Sequence, residues 1–324
     1  MNVLVTGGAG FIGSHTVKKL AETYSKIYVL DNLTRGHIES LPQNVQFIRA
    51  NAGEYELLDI FLKKTPIDAV IHFAAYAYVG ESTTDPDLYY KNNVEQTLSL
   101  LRVMKNNNIR NIVFSSTCSV YGNAETTPIL ESTSVNPINP YARTKYMLEE
   151  IIKDHSSAYG LNYVILRYFN AAGASMDGKI GESHTPETHL IPLVIYNALG
   201  KTDKLTVYGY DYPTPDGTCI RDYIHVDDLA SAHIAAMEYL LKGGTSDIIN
   251  LGTGEGTSIL EIISLVEEIS GSRIKFKLSE RREGDPAALV ASNGKAMDIL
   301  GWQPRYNIRD IIKSAYNWYL KPKY

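Results

Sequence analysis

Residues 3–13 read Val3-Leu4-Val5-Thr6-Gly7-Gly8-Ala9-Gly10-Phe11-Ile12-Gly13. The run from Val3 to Thr6 is apolar and β-branched, the pattern of a buried strand. From Ile12 to Ala21 the apolar residues recur at helical spacing. Between strand and helix stand glycines 7, 10 and 13, a Gly-x-x-Gly-x-x-Gly spacing. So tight a turn needs a residue without Cβ, and the last glycine lets the helix pack on the strand. The helix N-terminus then favours an anion such as a pyrophosphate. A strand, a glycine turn and a helix in this order open a doubly wound sheet.

Working outward, the same alternation repeats. Ile27 to Leu30, Gln46 to Ile48, Ala69 to Phe73, Ile112 to Ser115 and Tyr163 to Leu166 read as buried strands. Ile12 to Ala21, Tyr55 to Lys64, Leu88 to Lys105 and Tyr141 to Tyr159 read as amphipathic helices. Alternating strands and helices predict an α/β fold, a doubly wound parallel sheet of Rossmann type. From Gly173 to Thr218 the chain turns rich in Gly, Pro, Thr, Asp and His, with one helical piece near Ile191 to Leu199. A strand at Ile248 to Leu251 and a helix from Ser258 to Ser270 follow. This predicts a smaller C-terminal substrate-binding domain. Residues 1–171 and about 219–251 are assigned to the dinucleotide-binding domain, and about 172–218 and 252–324 to the smaller one.

Composition bounds the rest. The chain has 324 residues, 44% hydrophobic and 21% charged, with a net charge of −5. That is ordinary for a folded protein and too apolar for a disordered one. Mild acidity argues against nucleic acid as a partner. Tyrosine is in excess, 23 against 7 Phe and 2 Trp, and its polar tip on an apolar body suits polar ligands as well as packing. Two cysteines, Cys118 and Cys219, make no disulfide framework and fit a reducing compartment. No run of about 18 apolar residues predicts a membrane span. The N-terminus opens on a strand pattern with no signal peptide, so a cytoplasmic location is expected. The eight histidines show no metal-ligand spacing. His184 and His189 stand in a loop-like stretch, and no metal is expected.

Asp31 ends the second strand, 18 residues beyond Gly13. A carboxylate there bonds adenosine ribose hydroxyls and repels a 2′-phosphate, which favours NAD over NADP. Arg35 is nearby, and an arginine is the residue that holds such a phosphate. Tyr141-Ala142-Arg143-Thr144-Lys145 is a Tyr-x-x-x-Lys pair opening a helix, with both side chains on one face. A free tyrosine ionises near pH 10, and lowering that by about three units takes about 4 kcal/mol. One cation about 4 Å away, at an effective dielectric of about 20, supplies that order of energy. Lys145 and a positive nicotinamide are the expected suppliers. A third member is expected from Ser115-Ser116-Thr117, hydroxyls at the carboxyl end of a parallel strand, where ligands bind in this architecture. Cys118 reads as a small packing residue, since no base accompanies it.

These motifs, with others along the whole chain, resemble the extended short-chain dehydrogenase/reductases, and among them the UDP-glucose 4-epimerase family. The resemblance rests on Asp31-Asn32-Leu33, Val70-Ile71-His72-Phe73-Ala74, Val79-Gly80-Glu81-Ser82 and Tyr89-Tyr90-Lys91-Asn92-Asn93-Val94. It continues in Leu166-Arg167-Tyr168-Phe169-Asn170, Asp211-Tyr212-Pro213-Thr214, Asp216-Gly217-Thr218 and Arg221-Asp222-Tyr223-Ile224-His225-Val226. Asn250-Leu251-Gly252 and Arg281-Arg282-Glu283-Gly284-Asp285 complete it, and these later groups are more specific than the glycines.

The resemblance implies NAD as a regenerated cofactor and a UDP-sugar as substrate. Tyr141 would take the proton of the sugar 4′-hydroxyl, Thr117 would bond that oxygen, and Lys145 would lower the tyrosine's proton affinity and hold the nicotinamide ribose. The cofactor shell it implies is Gly7, Gly10, Phe11, Ile12, Gly13, Asp31, Asn32, Asn51, Ala52, Phe73, Ala74, Ala75, Asn92, Ser115, Tyr141, Lys145 and Tyr168. The substrate shell is Thr117, Tyr141, Asn170, His189, Leu190, Tyr208, Arg221, Arg282, Asp285 and Leu289. Arg221 and Arg282 match diphosphate ligands, Asp285 the uridine ribose ligand, and Tyr208 the ring near uracil. A homodimer through the helices Leu88 to Lys105 and Tyr141 to Tyr159 is implied as well.

Five positions depart from the family pattern. Thr117 replaces the commoner serine and adds a stiff methyl. Asn51 stands for an Asp near the adenine, Ala77 for a Lys near the nicotinamide, and His189 for an Asn in the substrate loop. Leu289 holds the gate position, where Tyr favours unsubstituted hexoses and small residues admit an N-acetyl group. Its size lies between these and leaves hexose and N-acetylhexosamine open, and a pentose is open too. A nucleotide-sugar 4,6-dehydratase would carry Asp and Glu after the strand-end Thr, where this chain has Cys118 and Ser119. A non-catalytic NAD sensor would have no need of Tyr141, Lys145 and Thr117.

Overall fold

In the first strand, alternate residues go to opposite sides. Val3 and Val5 join one apolar cluster and Leu4 another, so both faces of the sheet are covered. The computed structural model describes residues 1–282 and 285–324, and Glu283 and Gly284 of the C-terminal motif lie outside the described residues. The first half contains β1 (Asn2–Thr6), α1 (Phe11–Thr23), β2 (Lys26–Asp31), β3 (Gln46–Arg49), α2 (Tyr55–Lys64), β4 (Ala69–His72), α3 (Val79–Thr84), α4 (Pro86–Tyr89), α5 (Gln96–Asn106), β5 (Asn111–Ser115), α6 (Pro140–Tyr159), β6 (Asn162–Tyr168) and β7 (Asn170–Ala172). Then come α7 (Leu190–Ala198), β8 (Leu205–Tyr208), β9 (Ile220–Arg221), β10 (Tyr223–His225), α8 (Val226–Leu241), β11 (Asp247–Leu251), β12 (Thr257–Ser258), α9 (Ile259–Ser270), β13 (Phe276–Ser279), β14 (Ala288–Leu289), α10 (Gly294–Leu300) and α11 (Ile308–Leu320).

Seven strands form one sheet in the order β11-β6-β5-β4-β1-β2-β3, parallel throughout. The order reverses beside β1, between β4 and β2, and there the carboxyl ends of the strands open a crevice. Helices α1 and α8 cover one face, with Val17, Leu20, Leu229 and Met237 in its cluster. Helices α2, α5 and α6 cover the other, with Leu58, Leu101, Leu148 and Ile152. A third cluster joins α7, α9 and α11 through Ile191, Val194, Ile262, Ile311 and Trp318, and builds the smaller lobe. Strands β9, β12 and β14 form a small sheet there, with β13 pairing β8 and β10 pairing β7. Among the described residues, no helix is long and apolar enough to cross a membrane.

The fold matches the expected α/β class; helices α3, α10 and α11 were not among the expected elements, and two further departures have a clear cause. The continuous helix expected from Leu88 to Lys105 is three pieces, with a π-helical turn over Tyr90–Glu95 between α4 and α5. Such turns insert a residue into the ladder and re-aim side chains. Helix α8 was not expected at all, because its Ala-rich sequence is apolar on most sides and its buried face shows no clean stripe.

Candidate active site

The glycine turn has the geometry its composition demands. Gly7 sits at φ 69°, and a Cβ on it would lie 2.5 Å from the Ala74 nitrogen. A Cβ on Gly13 would lie 2.2 Å from the Gly7 carbonyl oxygen, so α1 approaches β1 as closely as backbone allows. Gly10 caps α1 with no side chain, and no side-chain acceptor covers the first amides, those of Phe11 and Ile12. This cradle fits a dinucleotide pyrophosphate. The close contact also brings Phe73 and Ala74, at the end of β4, against the turn.

At the adjoining edge, buried Asp31 accepts from Ala9 N–H at 3.0 Å and Leu33 N–H at 2.8 Å. Burial raises its proton affinity, and these two bonds oppose that rise. Asn51 is tied to its neighbours. Its amide oxygen, expected to face an adenine amino group, accepts from Asn32 at 2.8 Å, and its nitrogen donates to Glu54 at 2.9 Å. Ala52 next to it is buried. Arg35 is drawn to Glu81, with Nη2 at 2.7 and 3.0 Å from the two carboxylate oxygens, and lies over the Tyr78 ring at 4.5 Å. A guanidinium engaged in this way is not free for a 2′-phosphate, which leaves the Asp31 signal for NAD unopposed.

Tyr141 and Lys145 open α6, which Asn139 caps by accepting from Ala142 N–H at 2.9 Å, with Pro140 in the first turn. Both are buried, at 6% and 3% exposure, at the carboxyl ends of β5 and β6. Lys145 Nζ donates to the Ser115 carbonyl at 2.8 Å, and Ser115 Oγ donates to the Tyr168 hydroxyl at 3.1 Å. Thr117 faces the Tyr141 phenol, and its own hydroxyl accepts from Ser119 N–H at 3.1 Å. Asn92 lies in the π-helical turn and donates to Asn93, which bonds Thr144 of α6 and the backbone of Tyr76 next to Ala75.

Within the chain alone, burial works against the expected lowering of the tyrosine. Burial pushes the Tyr141 phenol well above its usual value, and Tyr168 adds to that, while Thr117 pulls against it. Burial also brings Lys145 down to about 7, with Glu149 opposing. The ammonium expected to lower the tyrosine is itself desolvated. Cys118 is pushed up to about 12 by burial, which suits packing and not nucleophilic chemistry.

On the smaller lobe, β9 and β14 pair with Leu289 opposite Arg221. Arg221 Nη1 donates to the Ile220 and Pro286 carbonyls at 2.9 Å each, and Nη2 lies 3.6 Å from Asp285. Arg282 stacks over the Tyr208 ring at 4.0 Å. Asn170 donates to the Asp222 carbonyl at 2.9 Å, and Leu289 packs on the cluster of Cys118, Val120 and Tyr121 beside Thr117. Arg221 and Leu289 thus share the β9–β14 pair, Tyr208 stands on β8 in the neighbouring β8–β13 pair, and Arg282 and Asp285 lie between β13 and β14. His189 and Leu190 stand elsewhere, at the start of α7, where His189 Nδ1 bonds Glu182.

Three groups were not expected from sequence. Glu149 accepts from Ser116 Oγ and pairs with Arg167, all buried, under the strand end that carries Thr117. The signal was available, since Tyr141, Lys145 and Glu149 continue one i, i+4 stripe. Asp222 accepts from Thr253, Gly254 and Ala291 amides and ties β9 to the loops around it. Glu182, His184, Glu187 and His189 come together in space, with ligand atoms all within 4.8 Å of one another. Histidine spacing alone gave no sign of this, because half of the group is glutamate.

Residues 3–252 match the NAD dependent epimerase/dehydratase family. The chain is 48% identical over 320 residues to the UDP-glucose 4-epimerase of Halalkalibacterium halodurans, covering 98% of this chain and 96% of that one. It superposes on the UDP-glucose 4-epimerase of Brucella ovis in complex with NAD with a TM-score of 0.94, at 50% identity and 97% coverage of both chains. It superposes on the Bifidobacterium longum UDP-glucose 4-epimerase in complex with NAD+ and UDP with a TM-score of 0.93, at 38% identity and 99% coverage of both.

Proposed function

The chain belongs to the NAD dependent epimerase/dehydratase family, and on that premise we propose that it is an NAD-dependent UDP-hexose 4-epimerase interconverting UDP-glucose and UDP-galactose through a 4-keto sugar. The observation that carries this reading is the meeting of Tyr141, Lys145 and Thr117 at the sheet's carboxyl edge, with the glycine cradle on one side and Arg221 on the other.

NAD, when bound in the cradle of Gly7, Gly10 and Gly13 with Asp31 at its ribose, supplies the acceptor and then the donor of the C4′ hydride. Tyr141 takes the proton of the 4′-hydroxyl and returns it after the sugar has turned over. Thr117 holds the same oxygen in line with the phenol. Lys145, fixed on the Ser115 carbonyl, brings positive charge to the helix face that Tyr141 shares. Arg221 and Arg282 take the diphosphate, Asp285 the uridine ribose, and Tyr208 the base, so the nucleotide is anchored while the hexose is free to rotate. Asn170 faces the sugar, and Leu289 sets the room at its far side. Residues 1–171 with about 219–251 form the cofactor half of this reading, and about 172–218 with 252–324 the substrate half, although β9 with Arg221 pairs with β12 and β14 of the substrate half.

The dehydratase reading lacks its acid and base. Thr117 is followed by buried Cys118 and by Ser119, with no carboxylate there. The reading also places the chain in the cytoplasm, in galactose metabolism, as a homodimer through α5 and α6. These helices pack side by side, with Met147 and Tyr159 of α6 left exposed.

The test is turnover of the purified protein on UDP-glucose, UDP-galactose and their N-acetyl counterparts, without added NAD. Interconversion of the hexose pair is expected. Its absence for every pair, even with NAD supplied, overturns the reading.

A further inference from the structure

Glu182, His184, Glu187 and His189 lie on the segment between β7 and α7, outside the hydride-transfer chemistry. Two arrangements would balance their charges. Either both imidazoles are protonated and each N–H points at a carboxylate, or both are neutral and all four residues share a divalent cation. His189 Nδ1 bonds Glu182 as the first arrangement requires, but His184 does not complete it. His184 Nδ1 is 3.2 Å from Glu182 Oε1 and 3.9 Å from Glu187 Oε2, yet it is buried and makes no hydrogen bond to either. Glu187 Oε2 is likewise buried without a partner, on a side chain only 4% exposed. The Tyr319 and Tyr78 hydroxyls, which feel both carboxylates, are also buried and unpartnered. Two buried ligand atoms of one four-residue cluster, His184 Nδ1 and Glu187 Oε2, are thus left without partners, which a central cation would supply.

We propose that these four side chains form a structural site for a divalent transition-metal ion of the zinc type. Two imidazoles and two carboxylates are a donor set for Zn²⁺, whereas Mg²⁺ and Ca²⁺ prefer oxygen alone. Zinc bonds of about 2.0–2.1 Å in a tetrahedron put ligand atoms about 3.3 Å apart. The His184 Nδ1 separations of 3.2 Å from Glu182 Oε1 and 3.9 Å from Glu187 Oε2 need little adjustment to meet that, and the direct His189–Glu182 hydrogen bond would open to admit the ion. The ligands are already oriented by outer bonds. Glu187 Oε1 accepts from Thr188 and His189 N–H at 2.7 and 2.9 Å, and the Glu182 carbonyl accepts from Trp318 Nε1 at 2.9 Å.

The position gives the ion a purpose. His184 lies 5.7 Å from the Tyr78 ring and 6.4 Å from the Phe11 ring of the glycine turn, and His37 bonds the Ser183 carbonyl at 3.0 Å. Trp318 and Tyr319 belong to α11 of the smaller lobe. The ion would therefore pin the segment between β7 and α7 to both lobes, next to the cofactor cradle.

The test is calorimetric titration of the chelator-treated full chain with ZnSO₄, then with MgCl₂, alongside metal analysis of protein purified without chelator. One equivalent of Zn²⁺ bound, a rise in melting temperature on binding, and no response to Mg²⁺ are expected. Glu187→Gln and His184→Ala should each weaken binding at least tenfold while circular dichroism is unchanged. Zinc absorption spectroscopy should show mixed nitrogen and oxygen ligands. Absence of stoichiometric binding, or binding unaffected by both substitutions, overturns the site and leaves the four residues as an ion-pair cluster. Turnover plays no part in this readout, so failure here leaves the epimerase reading standing.

Discussion

Burial acts against both members of the tyrosine–lysine pair. It raises the phenol of Tyr141 and lowers the ammonium of Lys145 to about 7. A second cation brought in with the ligands must therefore complete the charge balance before a phenolate forms. Tyr141→Phe removes the phenol that faces Thr117, so turnover should fall by about 10²–10⁴-fold with UDP affinity by calorimetry unchanged. Lys145 gives a sharper, signed prediction. Its folded value is depressed from about 10.5 to about 7, so the unfolded chain binds more protons between these pH values. Its destabilising effect is full below pH 7 and fades as pH rises towards 10.5. Lys145→Met should then unfold at higher urea than the parent at pH 6, with the gain shrinking at pH 9, while turnover is lost at both. A gain that does not depend on pH would show that the ammonium is not desolvated. Leu289 is the third residue with a distinct signature. Leu289→Tyr should lower kcat/KM for UDP-N-acetylglucosamine about tenfold or more relative to UDP-glucose, and Leu289→Ala should shift the ratio the other way.

At the scale of elements, the site depends on two helix N-termini and on how closely each meets the sheet. For α1 the closeness is a matter of missing atoms. Gly13→Ala places a methyl carbon 2.2 Å from the Gly7 carbonyl oxygen and 2.8 Å from Gly8 Cα, so the helix must move off β1. The purified variant should carry little NAD, read by absorbance after denaturation, and melt at lower temperature. Gly80→Ala in α3 is the control. A Cβ there meets nothing within 4 Å, and a helical Gly→Ala change stabilises by about 0.5–1 kcal/mol. Equal cofactor loss in both variants would falsify the close-approach argument. For α6 the sequence Asn139-Pro140-Tyr141 shows why Tyr-x-x-x-Lys was legible: cap, first-turn proline and i, i+4 pair are all local signals. The π-helical turn at Tyr90–Glu95 was not legible, since one inserted residue hardly disturbs an apolar period over the span.

Across the whole molecule, legibility follows whether a property is local or depends on the packed chain. The sheet, the glycine turn and the motif residues could be read because strands and caps report through nearest neighbours in sequence. Helix α8 could not, because a helix buried against α1 and the sheet is apolar on too many sides to show a stripe. The Glu182–His189 cluster and the proton-affinity shifts of Tyr141, Lys145 and Cys118 depend on burial and on partners distant in sequence, which only the folded chain sets. Three buried histidines turn this into a global property. His72, held between Thr6 and Thr97, is brought down to about 3, and His225 and His233 to about 4, each chiefly by burial. All three are neutral in the folded chain, while the unfolded chain protonates them near pH 6.5. Below that pH the unfolded state binds more protons, so stability falls as pH drops from about 6.5, and the loss levels off near 4 for His225 and His233 and near 3 for His72. His233 is the cleanest reporter, since its Nδ1 bonds only its own helix at Leu229 and its ring packs 4.5 Å from Phe73. His233→Leu should keep the fold at pH 7 and flatten the decline of the urea midpoint between pH 6.5 and 4, by about one proton's worth in slope. A variant with the parent's full acid slope would mean that carboxylates, rather than buried imidazoles, set the acid limit of this fold.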